Sequence, residues 1–291
     1  FHRMIGVPAE GDAPVAKRGR FPVVVHSHGF GGFPEYESLH LAQVASWGFI
    51  VIAPDHTGRD LSAVLEQTMD PSDRDVSELR AALDRVRMEN DNGFLRGRAD
   101  LGKVAAEGHS AGGAAAIRLA MGSKVQTFIG LAPAAPVPYS AATMADPSAI
   151  DGELAKETPP SVPGLLIGGA DDHVVTPTEV GAIYAWMVAP KTKVMIAGMG
   201  HNTFTDLCGP IREMGGLEAV GGALVPAALA QLAEDGCRST NIDPARGRAV
   251  EDQVSIAWLR NHLATGSAES YSAAWVDHLF PGSIASYDSA S

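Results

Sequence analysis

Long apolar runs and positive charge are both scarce in this sequence. The longest apolar stretch, around Gly221–Leu232, is interrupted by glycine, proline and glutamine, and no run reaches the roughly 18 residues that a membrane-spanning helix needs. The 22 lysines and arginines are outnumbered by 34 aspartates and glutamates, which gives a formal net charge of −12. An acidic chain repels phosphate backbones, so nucleic acid is excluded as a partner. We also expect no transmembrane segment.

Cysteine is scarce too, because Cys208 and Cys237 are the only two in the sequence. A disulfide between them would close a loop of about 29 residues and stabilise the fold by about 3–4 kcal/mol on a chain-entropy model. The alternative is two unrelated buried thiols. Two cysteines without histidines at matching spacing do not form a zinc site, so we expect no metal. A disulfide favours a secreted or periplasmic protein, with a cytoplasmic location left open.

What the sequence does have is the alternation of short apolar runs and helical patterns that is typical of the α/β class. Hydrophobic residues make up 45% of the chain and charged residues 19%, enough for a sizeable core. Apolar runs predict strands at Phe21–Ser27, Phe49–Ala53, Val104–Glu107, Thr127–Leu131, Gly164–Gly168 and Lys193–Ala197. Helical spacing predicts helices at Tyr36–Trp47, Asp73–Asn90, Ala111–Met121, Thr176–Val188, Pro226–Ala233 and Ala249–Leu263.

This alternation predicts a mostly parallel sheet with helices on both faces. We expect a single domain over residues 1–291, with a core at about 21–263 and a C-terminal tail at 264–291. Residues 1–20 are expected to form an edge strand and a turn. The segment Pro133–Pro163, rich in proline, alanine and small polar residues, is predicted to be a loop with at most a short helix. It is too small for a large cap domain.

The most informative motif is Gly108-His109-Ser110-Ala111-Gly112, which lies between an apolar strand and an alanine-rich helix. A Gly-x-Ser-x-Gly sequence at such a turn is typical of a nucleophile elbow, in which the serine hydroxyl stands clear of the sheet. The backbone N–H of Ala111 would then point at a developing oxyanion. Ser110 is therefore the candidate nucleophile.

A serine hydroxyl needs a base, and the base needs a group that orients it. Both should lie at the carboxyl ends of later strands. His201 follows the strand that ends in KVMIA, and the pair Asp171 and Asp172 follows GLLIGGA. The turn after Asp172 favours it as the acid, with Asp171 as the alternative. The order serine, acid, histidine matches α/β-hydrolases and differs from the serine protease orders.

A second backbone donor for the oxyanion is expected after the first strand, where the sequence is His28-Gly29-Phe30-Gly31-Gly32. The N–H of Phe30 is the candidate, beside that of Ala111. The alternative is a plain glycine-rich turn. A phosphate cradle is disfavoured because no Gly-Lys-Ser/Thr comes after it. We expect the pocket wall to include Phe33, His109, Asn202 and Phe204, and expect His26, His28, His56 and His173 to support the site or line the pocket.

The series HSHGFGG, GFIVIAPDH, GHSAGG, GGADD and GHNTF resembles the α/β-hydrolase superfamily. Within it the chain is most similar to serine esterases grouped around platelet-activating-factor acetylhydrolases and dienelactone-hydrolase-like proteins, with cutinase-like polyester hydrolases as near relatives. The resemblance spans about Phe21 to Phe204. It implies Ser110, Asp172 and His201 as the triad, and Phe30 and Ala111 as oxyanion donors.

Two departures from these relatives matter. Dienelactone hydrolases carry a cysteine nucleophile, where this chain has Ser110. Cutinase-type polyester hydrolases usually carry a tryptophan after the strand that follows the elbow, and here Leu131 is followed by Ala-Pro-Ala-Ala.

The sequence thus predicts a carboxylic ester hydrolase that acts through an acyl-enzyme on short or medium acyl esters and needs no cofactor. Polyester hydrolysis and phospholipid acetyl hydrolysis are the alternatives. A catalytically silent binding protein on a hydrolase scaffold is the alternative outside enzymes. The expected partner is a small or polymeric ester, and the oligomeric state is left open.

Overall fold

The computed structural model describes residues 6–70, 74–122, 125–137, 149–217 and 227–291. Its centre is a seven-stranded sheet in the order β2-β1-β3-β4-β5-β6-β7. The strands are β1 (Phe21–Ser27), β2 (Ile50–Ile52), β3 (Ala99–His109), β4 (Thr127–Leu131), β5 (Gly164–Gly169), β6 (Lys191–Ile196) and β7 (Ile284–Ala290). All neighbouring pairs are parallel except β6 and β7, which are antiparallel.

Helices flank both faces of the sheet. They are α1 (Ser38–Ser46), α2 (Leu61–Glu66), α3 (Asp75–Asn92), α4 (Ala111–Gly122), α5 (Ala149–Leu154), α6 (Pro177–Trp186), α7 (Cys208–Glu213), α8 (Ala227–Glu234), α9 (Pro244–Leu263) and α10 (Ala273–Leu279), with 3₁₀ turns at His201–Phe204 and Ala268–Tyr271. No helix in the described ranges is long and apolar enough to cross a membrane.

The two faces of β1 show why the strands are continuous apolar runs in the sequence. Val23 and Val25 pack into one core with residues of α3, α4 and α6, while Val24 packs into a second core with residues of α1 and α9. Because successive side chains of a strand point to opposite faces, a strand covered on both sides is apolar at every position. Trp258 of α9 anchors the second core and donates from Nε1 to Thr127 Oγ1 of β4 at 2.7 Å.

The mostly parallel α/β sheet is confirmed, with two corrections. The segment 264–291, predicted as a C-terminal tail, contributes β7, which pairs with β6 and extends the sheet. Residues 6–20 form no strand, contrary to the edge strand expected there. The segment Pro133–Pro163 contains one short helix in its described part, α5, as the prediction allowed, and residues 138–148 lie outside the described part of the chain.

Candidate active site

Ser110 occupies a sharp turn between β3, which ends at His109, and α4, which begins at Ala111. Its backbone φ is +56°, in the left-handed region that a residue with a side chain rarely adopts. The turn is held by hydrogen bonds from Ser110 N to the Leu131 carbonyl, 2.9 Å, and from Ala134 N to the Ser110 carbonyl, 2.9 Å. The strain is thus local and supported by the neighbouring strand β4, as expected of a turn that presents a reactive side chain.

The imidazole of His201 bridges the serine and a carboxylate. Its Nε2 lies 2.9 Å from Ser110 Oγ, and its Nδ1 lies 2.9 Å from Asp172 Oδ2. With the proton on Nδ1 donated to Asp172, Nε2 is free to accept the serine proton. His201 follows β6 and Asp172 follows β5, so neighbouring parallel strands deliver both groups to the same sheet edge as Ser110.

Asp172, and not Asp171, faces His201. The second carboxylate oxygen of Asp172, Oδ1, accepts from the backbone N–H groups of Val174 and Val175, each at 2.8 Å. Asp172 is buried, whereas Asp171 is exposed. Bonds to both carboxylate oxygens fix the orientation of Asp172, and this geometry favours Asp172 over Asp171 as the candidate acid.

The backbone of His201 is held from two further sides. Its N–H donates to Asp235 Oδ1 at 2.7 Å, and its carbonyl oxygen lies 3.1 Å from His109 Nε2. Asp235 lies between α8 and α9, and nothing in its spacing relative to other acidic residues singles it out in the sequence. Sequence reasoning therefore missed it.

The loop His28–Gly32 lies against the elbow. A Cβ atom on Gly29 would be 3.3 Å from Ser110 Cβ and 3.2 Å from His109 Nδ1, which shows how closely the two segments approach. Among the described residues, no hydrogen bond uses the N–H of Phe30 or of Ala111, and the oxyanion role expected for Phe30 and Ala111 stays a prediction.

Arg59 holds this loop in place. Its guanidinium donates to the His28 carbonyl and, at 2.9 Å, to Ser27 Oγ. The Arg59 carbonyl accepts from Gly31 N at 2.8 Å. Burial is the first cause that lowers the pKa of Arg59, to about 10, so the side chain still carries its charge at neutral pH. Sequence reasoning did not identify Arg59.

The imidazole of His28 is fixed as well. It donates from Nδ1 to its neighbour Gly29 O at 2.8 Å and accepts at Nε2 from the His56 N–H at 3.0 Å. His56 in turn bonds through its side chain to Ser27 Oγ at 2.8 Å and to Glu78 Oε2 at 2.6 Å. Burial lowers the pKa of both histidines, that of His56 to about 2, so both are neutral.

Beneath the elbow runs a buried chain of alternating imidazoles and carboxylates. Glu37 faces His109 Nδ1 at 3.4 Å and His26 Nε2 at 3.3 Å. Glu107 then joins His26 Nδ1, 3.1 Å, to His40 Nε2, 3.2 Å. Burial alone would lower the pKa of His26, but its hydrogen bonds to Glu107 and Glu37 outweigh it and raise that pKa to about 9. The pKa of Glu37, which burial would raise, is held near 2 by His109 and His26.

Three of the four predicted pocket residues are packed inside the protein. His109, Asn202 and Phe204 are buried. Phe204 stacks on His109 with ring centroids 5.8 Å apart, and Asn202 Nδ2 donates to the Leu232 carbonyl at 2.6 Å. These contacts hold the three side chains inside the protein, and their assignment to the pocket wall stays a prediction. Phe33 is half-buried against Tyr36, and Phe30 is 46% exposed.

Two further features concern cofactors and the cysteines. Within the described ranges, no group of three or more histidine, cysteine, aspartate and glutamate side chains could hold a metal ion. The disulfide between Cys208 and Cys237 is present, as predicted.

His173, expected in a supporting role, has an exposed side chain whose Nδ1 lies 3.1 Å from Asp235 Oδ2.

Comparison with known proteins gives one family. The family model described as chlorophyllase matches residues 12–168, more than half of the 291-residue chain. No curated protein matches the chain. The matched region includes the loop His28–Gly32 and the elbow at Ser110, and it ends before Asp172 and His201. The resemblance to the α/β-hydrolase esterases is confirmed: the chain belongs to the chlorophyllase family, an α/β-hydrolase family of enzymes that hydrolyse esters.

Proposed function

We propose that the protein is a serine carboxylesterase, with Ser110 as nucleophile, His201 as general base and Asp172 as the acid that orients the base. The observation that carries this proposal is the position of the His201 ring, 2.9 Å from both Ser110 Oγ and Asp172 Oδ2. A binding protein on the same scaffold would have no need for a serine held at a φ of +56°.

In the first half of the reaction, Ser110 Oγ attacks the ester carbonyl while His201 Nε2 takes the hydroxyl proton. Asp172 holds the Nδ1 proton in place and stabilises the imidazolium that forms. The tetrahedral oxyanion accepts hydrogen bonds from the N–H groups of Phe30 and Ala111. His201 then gives its proton to the departing alkoxide, which leaves as the alcohol.

In the second half, water attacks the acyl-enzyme. His201 removes a proton from the water, the second tetrahedral intermediate rests on the same two N–H groups, and its collapse returns the proton to Ser110 Oγ and releases the carboxylic acid. Losing one oxyanion donor would raise the barrier by about 3 kcal/mol. No step needs a metal or an organic cofactor.

Short or medium acyl esters are the proposed substrates. The exposed ring of Phe30 supports this assignment, because the residue that offers its N–H to the oxyanion also places an apolar side chain beside the acyl group. Polyester chains and acetylated phospholipids remain the alternative substrates. Disulfides persist in oxidising compartments, so the Cys208–Cys237 bond favours a secreted or periplasmic enzyme.

The test is turnover of p-nitrophenyl acetate and p-nitrophenyl butyrate by the wild type and Ser110→Ala. We expect the variant to lose activity by about 10⁴-fold or more, because residual catalysis then rests on the oxyanion hole and binding alone. Equal rates for the two proteins would rule out the proposal.

A matched pair of variants tests the acid. Asp172→Asn should lower kcat by about 10⁴-fold, because it leaves His201 with the wrong tautomer. Asp171→Asn changes an exposed neighbour and should stay within about threefold of the wild type. A panel of acyl-chain lengths, an acetylated phospholipid, chlorophyll and a soluble polyester then ranks the substrate classes.

A further inference from the structure

One carboxylate connects the loop that carries the base to the loop that carries the acid. Asp235 Oδ1 accepts from the backbone N–H of His201 at 2.7 Å. Its Oδ2 accepts from the backbone N–H of His173 at 3.3 Å and lies 3.1 Å from His173 Nδ1. His173 directly follows Asp172. Asp235 therefore bonds to the backbone at His201 and at the residue next to the acid.

The surroundings of Asp235 are tightly packed. The side chain is largely buried, and a Cβ atom on Gly200 would lie 2.5 Å from Asp235 Oδ1, so only glycine allows the carboxylate this close to the turn before His201. The carbonyl of Asp235 accepts from Asn202 N at 2.8 Å. A carboxylate with charge-assisted bonds in a packed, partly desolvated site has little freedom to shift.

Covalent and hydrogen-bonded ties fix the segment that carries Asp235. Two residues further on, Cys237 is joined by the disulfide to Cys208, at the start of α7. Thr203, in the 3₁₀ turn that begins at His201, donates from Oγ1 to the Gly236 carbonyl at 3.1 Å. The segment that carries the carboxylate is thus held against the base loop.

We propose that Asp235 is a positioning residue for ester hydrolysis, which holds the backbone at His201 and at His173 so that the imidazole stays in line between Ser110 and Asp172. The inference rests on the proposed function. Asp235 does not touch the reacting atoms, because its bonds go to backbone N–H groups and to His173. Its removal lets the two loops shift independently, and a displacement of about 1 Å at such a site can cost about 100-fold in rate.

The test compares Asp235→Ala, Asp235→Asn and a control, Asp243→Ala. Asp243 also accepts from two backbone N–H groups, those of Ala245 and Arg246, but these bonds cap α9, and within the described ranges no hydrogen bond or ion pair joins Asp243 to the triad. We expect Asp235→Ala to lower kcat for p-nitrophenyl butyrate by about 10- to 100-fold with KM within about twofold. Asp235→Asn keeps an acceptor for the His201 N–H but turns an amide NH₂ toward the His173 donors, so we expect a smaller loss, about 3- to 10-fold.

A spectroscopic measurement distinguishes positioning from general destabilisation. The proton between His201 Nδ1 and Asp172 should give a far-downfield proton NMR signal in the wild type and in Asp243→Ala. We expect this signal to shift or broaden in the Asp235 variants at temperatures where thermal unfolding shows them to be folded. If Asp235→Ala does not fold, the result for Asp235→Asn decides.

Two outcomes would overturn the inference. One is wild-type kcat with an unchanged downfield signal in a folded Asp235 variant. The other is an equal loss of kcat in Asp243→Ala, because that would trace the effect to stability. Failure of the proposed function is a separate result: there Ser110→Ala retains wild-type turnover, whereas failure of this inference leaves Ser110→Ala inactive and the Asp235 variants fully active.

Discussion

Gly112 of the elbow packs directly on the last residue of β1: a Cβ atom on Gly112 would lie 1.8 Å from the Ser27 carbonyl oxygen and 2.6 Å from that of His28. Backbone atoms cannot give way as a flexible side chain can. The start of α4 and the start of the loop His28–Gly32 are therefore in contact only because this position has no side chain. The distance between the proposed nucleophile, Ser110, and the proposed oxyanion donor, Phe30, depends on that contact.

We accordingly expect Gly112→Ala to separate the elbow from the loop that contains Phe30. Overpacking of this kind costs about 1–3 kcal/mol of stability, and kcat should fall by about 100-fold because the N–H groups no longer converge. Gly152→Ala is the control, since nothing lies within 4 Å of a Cβ atom there and the residue is on the exposed side of α5. Thermal unfolding and p-nitrophenyl butyrate kinetics measure both effects. Equal kinetics in the two variants would contradict the prediction.

Arg59 is expected to matter for rate more than for binding. Its guanidinium bonds to the His28 carbonyl and to Ser27 Oγ, so it holds the start of the loop His28–Gly32, which carries the proposed oxyanion donor Phe30. Lysine cannot reproduce two bonds from one planar group, so Arg59→Lys should lower kcat by about tenfold, and Arg59→Ala by more, with little change in KM. Arg87→Ala serves as the control, because Arg87 pairs with exposed Asp84 on α3. A change in KM alone would show that Arg59 acts in substrate binding.

The disulfide should contribute to stability through the length of the loop it closes. Cys208 and Cys237 are separated by 29 residues, for which the chain-entropy model gives about 3–4 kcal/mol. Chemical denaturation of the wild type and of the Cys208→Ala/Cys237→Ala double variant measures the difference. Adding a dithiol should lower the wild-type midpoint toward that of the double variant and leave the double variant unchanged. A dithiol effect of equal size on both proteins would mean that the disulfide is not its target.

The proximity of Ser110, Asp172 and His201 could be predicted from the sequence because a triad imposes local patterns. The elbow at Ser110 requires a strand, small residues and a helix in immediate succession, and these are visible in a short stretch of sequence. His201 and Asp172 were predictable because the residues directly after parallel strands gather at one edge of the sheet. The sequence favoured Asp172 and kept Asp171 as the alternative, and the structure adds the turn in which Oδ1 of Asp172 accepts two backbone bonds.

The remaining features could not be predicted for three physical reasons. Asp235 acts on backbone N–H groups, which exist at nearly every residue, so no pattern in the sequence indicates its partner. The strand β7 is a largely exposed edge, and its residues, IASYDSA, do not form the apolar run that identifies a buried strand. His109, Asn202 and Phe204 were expected at the pocket wall because they neighbour Ser110 or His201 in sequence, but sequence proximity does not tell how deeply a side chain is buried, and all three are buried.

The buried series of alternating imidazoles and carboxylates beneath the elbow should make the free energy of unfolding depend on pH between 6.5 and about 9. The pKa of His26 is about 9 in the folded protein against 6.5 in the unfolded chain, because hydrogen bonds to Glu107 and Glu37 outweigh its burial. Its contribution to stability is therefore complete below pH 6.5 and is lost as the pH rises through 9. A shift of this size corresponds to a loss on the order of 3 kcal/mol. His40, whose pKa is also raised, changes stability in the same direction.

Denaturation curves from about pH 6 to 10 for the wild type and Glu107→Gln measure this effect. The glutamine keeps a hydrogen-bond acceptor for His26 but removes the charge that holds the imidazolium, so the variant should be less stable at the acid end and lose less stability as the pH rises.

His28, His56 and His109 do not enter this window, because their pKa values are lowered and they change protonation below pH 6.5. On the acid side, Glu37 and Glu107, with pKa values near 2, should lose their contribution between about pH 4.5 and 2. A wild-type stability that does not change between pH 6.5 and 9 would show that His26 is neutral in the folded protein.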